Sequence, residues 1–300
     1  MFDYRYHALS LAAVLLALAV GLVIGIAIGD SSLVSSAKSG IVHDLSSELN
    51  SAHNQESELR QKLTRGEALT NDLYPIAVHG LLSGRAIGLV FLGSSSDRVN
   101  SLVRDAVTQA GGDLATVVAV RQPLDLAGLA GEAAGTHYAA LAAEESPAQK
   151  QLLERFGMLV GRQLVSGGQL VDQELLSRVR NRLLSAFDGQ LGKLQGLVLM
   201  RSQPTEMTRQ QTQALASFQS GLIDGVSAVG VPTVGVELTG TEPSQVPWYQ
   251  SQDISSVDDL DTIAGQAALV YALAGAHGAY GTRSSADSLL PNVGATATQP

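Results

Sequence analysis

The 300-residue chain has no cysteine, which excludes disulfides, thiolate metal sites and thiol catalysis together. Exported proteins can also lack cysteine, so this absence leaves the compartment open. Cationic side chains are scarce, with 19 Lys and Arg against 28 Asp and Glu. The net charge of -9 excludes a polyanion-binding surface, and with it nucleic acid as a partner. Soft metal ligands are few and scattered. His43 and His53 fall on a predicted stalk, His79, His137 and His277 lie far apart, and no HxH or HxxxH pair occurs. Met158, Met200 and Met207 read as core fillers.

Charge is absent from one long stretch. Between Ala8 and Gly29 the single polar side chain is Ser10, and these 22 residues reach about 33 Å as a helix, enough for a hydrocarbon core of roughly 30 Å. The rival reading is a cleaved signal peptide, with small-residue sites at Ala27-Ile28-Gly29 or Ser35-Ser36-Ala37. The apolar run, however, exceeds the roughly 7 to 15 residues of a signal core. Residues 1–7 are therefore expected in the cytoplasm, 8–29 as an uncleaved transmembrane helix, and the remainder outside. Arg5 and the amino terminus precede the span, while Lys38 is the nearest cation after it. Ala13, Ala17, Gly21, Gly25 and Gly29 recur every four residues, a small-residue face suited to helix pairing.

A Ser-rich linker is expected at 30–40, followed by a polar stalk helix at 41–73. Leu45, Leu49, Ala52, Leu59, Leu63 and Leu73 fit a and d positions of a heptad frame, which predicts a coiled coil. Glu56, Gly66 and Thr70 also fall on core positions and weaken it. Membrane confinement would raise the effective concentration of two stalks. The same helix could instead fold back on the body or pair with another protein, so a homodimer or a hetero-oligomer with an envelope partner remains open.

Tyr74-Pro75 is read as the end of the stalk. An α/β domain is expected over 84–281. Strand-like runs at 86–92, 114–120, 197–200 and 231–236 alternate with helical segments at 97–110, 147–159, 172–187, 205–220 and 257–274. This alternation predicts a mainly parallel sheet with helices on both faces. The tail, 282–300, is read as largely flexible.

No motif for chemistry emerges, and the chain is read as non-enzymatic. The turn Gly93 to Asp97 follows a strand and precedes a helix, where α/β proteins bind phosphate, yet it lacks both GxxxxGK[ST] and GxGxxG and is read as structural. Glu144-Glu145 and Asp258-Asp259-Asp261 are read as solvated charges at helix N-termini. No catalytic or cofactor-binding residue is assigned, and metal-binding residues stay unknown.

Asp3-Tyr4-Arg5-Tyr6-His7-Ala8-Leu9-Ser10-Leu11, then Leu15 to Gly21 and Gly25, resembles the opening of the actinobacterial family of mycobacterial copper transport protein B. Val257-Asp258-Asp259-Leu260-Asp261-Thr262-Ile263-Ala264-Gly265-Gln266, Tyr280-Gly281 and Leu289-Leu290-Pro291 resemble its close. The resemblance implies an envelope protein in copper efflux or homeostasis, with an outer-membrane label, and it brings copper in by resemblance alone. The chain also resembles the cell-separation factor SteB, which implies a scaffold acting on a peptidoglycan hydrolase through its coiled coil. A dry single helix offers no wet pore lining, and a helix-interrupted pattern does not predict a barrel.

Overall fold

The computed structural model describes residues 4–29, 31–167, 173–190, 192–203 and 206–292. They fall into two units, Met1–Ala68 and Leu69–Pro300.

In the first unit, helix α1 (Tyr4–Ile28) contains a 23-residue segment, Arg5–Ala27, long and apolar enough to cross a membrane. Helix α2 (Ser31–Val78) follows. The linker expected at 30–40 is thus helical from Ser31 onward. Serine costs a helix only roughly 0.5 kcal/mol relative to alanine, and no proline interrupts this stretch. Along α2, Glu56 pairs with Arg60 at 2.6 Å and Glu58 with Lys62 at 2.8 Å, both in the i,i+4 order that suits the helix dipole.

The end of α2 belongs to the second unit. The helix runs past Pro75 to Val78, where the sequence predicts a stop. Proline in a helix costs about 3 kcal/mol. Here Tyr74 and Val78 of the same turns are buried in the body's core beside Leu82, and that packing offsets the lost backbone bond.

The body then proceeds through β1 (Ala86–Leu92), α3 (Asp97–Gln109), β2 (Asp113–Val120), α4 (Leu126–Glu132), a short 3-10 turn (His137–Ala142), α5 (Pro147–Ser166), α6 (Gln173–Leu183) and β3 (Leu184–Gly189). It closes with β4 (Gly196–Arg201), α7 (Arg209–Ser227), β5 (Thr233–Val236), α8 (Val246–Ser251), β6 (Ser255–Val257), α9 (Ile263–Ala274) and β7 (Ala279–Tyr280). The strands form one seven-stranded sheet in the order β3-β2-β1-β4-β5-β6-β7. All neighbours are parallel except β3, which runs antiparallel to β2 at the edge. The fold is α/β with helices on both sheet faces, as the alternation predicts.

Three further expectations are corrected. The helix predicted over 172–187 ends at Leu183, and the chain turns into β3, which pairs Phe187 with Val118. Most of this strand is exposed, so no buried face stamped a period on it, and the unpaired edge of β2 captured it. The helix predicted from Val257 begins at Ile263, because Ser255–Val257 is a strand and Thr262 caps α9 by accepting from Gly265 N–H at 2.9 Å. The tail is docked as far as Pro291, which is buried. Asp287 accepts a hydrogen bond from Ala279 N–H at 2.9 Å, which holds that segment to β7. Residues 293–300 lie outside the described set.

Side chains alternate along β1 as the pleat requires. Ile87, Leu89 and Phe91 face a core with α3, α9 and the end of α2, while Val90 and Leu92 face a second core with α4, α5, α6 and α7. Both faces are dry, which is why the central strands read as continuous apolar runs.

Candidate functional site

The strand order reverses between β1 and β4: the chain leaves β1 towards β2 and later returns to β4 on the other side. At such a switch point the loops at the carboxyl ends of the two strands diverge and leave a crevice. Here it measures about 280 Å³ and is lined by Gly93 and Ser94 after β1, Arg121 and Gln122 after β2, and Ser202 and Gln203 after β4. Ser202 is held by its own N–H, which donates to the Leu92 carbonyl at 3.1 Å. Gly93 has φ of +126°, and a Cβ built there would stand 2.1 Å from Ser202 Oγ and 3.0 Å from Gln122 Oε1. The positive φ favours glycine here, and a larger residue would also have to displace both side chains.

The lining offers hydroxyls, amides and one guanidinium, and among the described residues it includes no carboxylate or histidine. Both amide atoms of Gln122 are buried without a protein partner. This chemistry suits binding a polar or anionic solute and lacks a general base. Ser94 reaches the crevice, whereas Ser96 caps α3 by accepting from Val99 N–H at 3.3 Å. Beside it, Arg201 stacks on the Trp248 ring at 4.7 Å and donates from Nε to Gln219 at 3.1 Å, and burial lowers its pKa.

Further along the same edge lies an acidic knot. Asp258 and Asp259 are 1% and 0% exposed, not solvated as the sequence predicts, and Glu237 at the end of β5 is 1% exposed. Each has a tying role. Asp258 accepts from the N–H groups of Thr282 at 2.8 Å and Arg283 at 3.0 Å, clamping the tail. Glu237 accepts from Gln245 N–H at 2.6 Å and Ser244 Oγ at 2.9 Å, and pairs with Arg283 Nε at 2.9 Å. Burial nonetheless raises its pKa against those bonds. Asp259 accepts from Thr262 Oγ1 at 3.0 Å through one oxygen while the other is buried without a partner, and burial raises its pKa. Asp261 is partly buried, but the Thr239 N–H at 2.8 Å and Arg98 at 2.9 Å outweigh that burial and lower its pKa. The expected helix charges are structural ties because the loops after β5, β6 and β7 converge on them, a proximity with no local sequence signal. Glu144 and Glu145 are exposed just before α5, as expected.

Ala13, Ala17, Gly21 and Gly25 lie along α1 on exposed positions, and Gly29 lies one residue past its end, donating to the Gly25 carbonyl at 2.9 Å. Leu45, Leu49, Ala52, Leu59, Leu63 and Leu73 lie on α2, all exposed. Met200 and Met207 pack against opposite cores. His53, His79, His137 and His277 are exposed, and among the described residues no three His, Asp or Glu side chains gather as a metal-ligand set. Gln122, Arg201 and Glu237 escape sequence reasoning: each lies at the carboxyl end of a strand or within two residues of it, but strand ends carry many polar residues without such roles.

These features define a class: a chain with, among the described residues, one helix long and apolar enough to cross a membrane, and a doubly wound α/β body whose switch-point crevice is polar. The chain belongs to the MctB family, since the family model described as "Copper transport outer membrane protein, MctB" matches residues 1–291. Proteins named "Copper transporter MctB" from Mycobacterium bovis and Mycobacterium tuberculosis are each 26% identical over 313 residues, covering 96% of this chain and 99% of the relative. The family resemblance of the two terminal signatures therefore extends through the middle of the chain. These relatives are named for copper transport, and the cell-separation reading gains no support from them.

Proposed function

We propose that this protein is a membrane-tethered, non-enzymatic component of copper handling in the cell envelope. The observation that carries the reading is the family match across residues 1–291, anchor and body together. Helix α1 serves as a single-pass anchor with the amino terminus in the cytoplasm and the body outside, in keeping with Arg5 at the amino-terminal end of the span and Lys38 after it. Two chains pair through the small-residue face of α1 and the leucine seam of α2. Copper is the cargo here, not a resident cofactor. The described strands lie in one open sheet covered by helices, an architecture that favours an anchored binding or docking body over conduction through a lumen.

The test is a deletion strain challenged with copper, complemented by the full chain and by a version in which a cleavable signal replaces α1. The reading expects copper sensitivity in the deletion, rescue by the anchored chain and weaker rescue by the released one. Unchanged copper tolerance in the deletion, with no copper retained by protein purified from membranes, would sink it.

A further inference from the structure

On the face of the sheet opposite α3 and α9, a cavity of about 240 Å³ opens between the strands and helices α5, α6 and α7. Its walls are mainly aliphatic, with Val118 of β2, Leu176 of α6 and Leu222 of α7 among them, and Phe187 of β3 at one side. Protein cores seldom leave such a space, since close packing is their rule. A cavity of about 150 Å³ holds a benzene ring, so this one has room for on the order of ten carbon atoms.

Three polar side chains break the apolar lining, and one of them, Ser177, already donates to the Glu174 carbonyl at 2.7 Å. Gln163 is only 6% exposed, and its Oε1 is buried with no hydrogen-bond partner, an acceptor that the protein itself leaves unmet. Arg180 lines the cavity from the exposed side of α6, its guanidinium 5.4 Å above the centre of the Phe187 ring. Among the described lining residues none is acidic. An apolar pocket with a few placed polar groups is the ordinary form of a small-molecule site.

We infer that this cavity binds an amphiphile: a medium-length acyl chain in the apolar space with an anionic head at Arg180. A hydroxyl carried by the chain would give Gln163 Oε1 its missing donor. The site is separate from the switch-point crevice and does not depend on the copper reading.

The experiment uses the full chain in lipid nanodiscs with a photoactivatable diazirine analogue of decanoic acid, and label is mapped by peptide mass spectrometry. Label on α1 reports partition into the bilayer and serves as the internal reference. Label is expected on α5 and α6 as well. Leu176→Trp, which fills the space, should abolish label on α5 and α6 while α1 label stays constant. Arg180→Gln, at an exposed position that a folding defect will not confuse, should reduce cavity labelling by the acid about tenfold and leave labelling by the matching alcohol unchanged. Label confined to α1, or cavity label indifferent to both substitutions, overturns the inference.

Discussion

Gly161 of α5 lies so close to α7 that a Cβ built on it would stand 2.1 Å from the Leu222 carbonyl oxygen. The contact is reciprocal. Gly157 faces the Phe218 carbonyl at 2.2 Å, while Gly221 and Gly225 of α7 face the carbonyls of Glu154 at 2.0 Å and Met158 at 2.3 Å, all measured from such a built Cβ. Two glycines four residues apart on each helix let the backbones touch, the device associated with membrane helices but used here inside the body.

Gly161→Ala should therefore destabilise the body by about 1 to 3 kcal/mol, because a methyl group must push two backbones apart. Gly131→Ala in α4 is the control, since nothing lies within 4 Å of its built Cβ. It should stabilise by about 0.4 to 1 kcal/mol through the unfolded chain. Urea unfolding of both variants checks the contrast, and equal effects would show that close approach is not what these glycines provide.

The acidic knot predicts opposite pH responses from neighbouring carboxyls. Burial holds Asp259 above its ordinary value, so its contribution to stability grows as pH falls through that raised value and is lost as pH rises past it. Asp259→Asn should raise the melting temperature near neutral pH, with the gap closing in mild acid. Asp261 is held low, so its contribution is present above the ordinary carboxylate range and lost as pH falls through the lowered value. Asp261→Asn should cost about 1 kcal/mol near neutral pH and nothing in strong acid. Thermal melts across pH separate the two.

Tyr74 carries its hydroxyl into the core without a hydrogen-bond partner, and burial, aided by Asp105, pushes its pKa up to about 12. Tyr74→Phe removes a desolvated polar group and keeps the ring. Stability should stay level or rise by about 1 kcal/mol in denaturant melts. A loss of that size would reveal a partner for the hydroxyl.

The pairing proposed for α1 can be read cleanly because the chain has no cysteine of its own. Ala13→Cys lies on the small-residue face and Leu15→Cys about half a turn around the helix from it. Oxidation in membranes should join two copies of the first and few of the second. Equal crosslinking at both positions would remove the pairing face.

Where a property is local, the sequence was enough. The membrane-length helix needs only a run of apolar side chains, and the central strands only their β-branched content. What came from tertiary structure is what distant segments do when they meet. The leucine run ending in Tyr74 looked finished at Pro75, and the core around Val78 carried the helix on. Leu184 to Phe187 read as helix until an open strand edge drew them in. Asp258 and Asp259 looked solvated until the loops after β5, β6 and β7 closed over them, because burial belongs to the neighbours of a residue and not to the residue. The same holds for the cavity beneath α6 and for Gln163, whose unmet acceptor has meaning only once the surrounding helices have packed. By itself, the sequence determined an α/β chain with an apolar helix of membrane-spanning length, and its family likeness; the fold decided which of its polar groups are ties and which line open space.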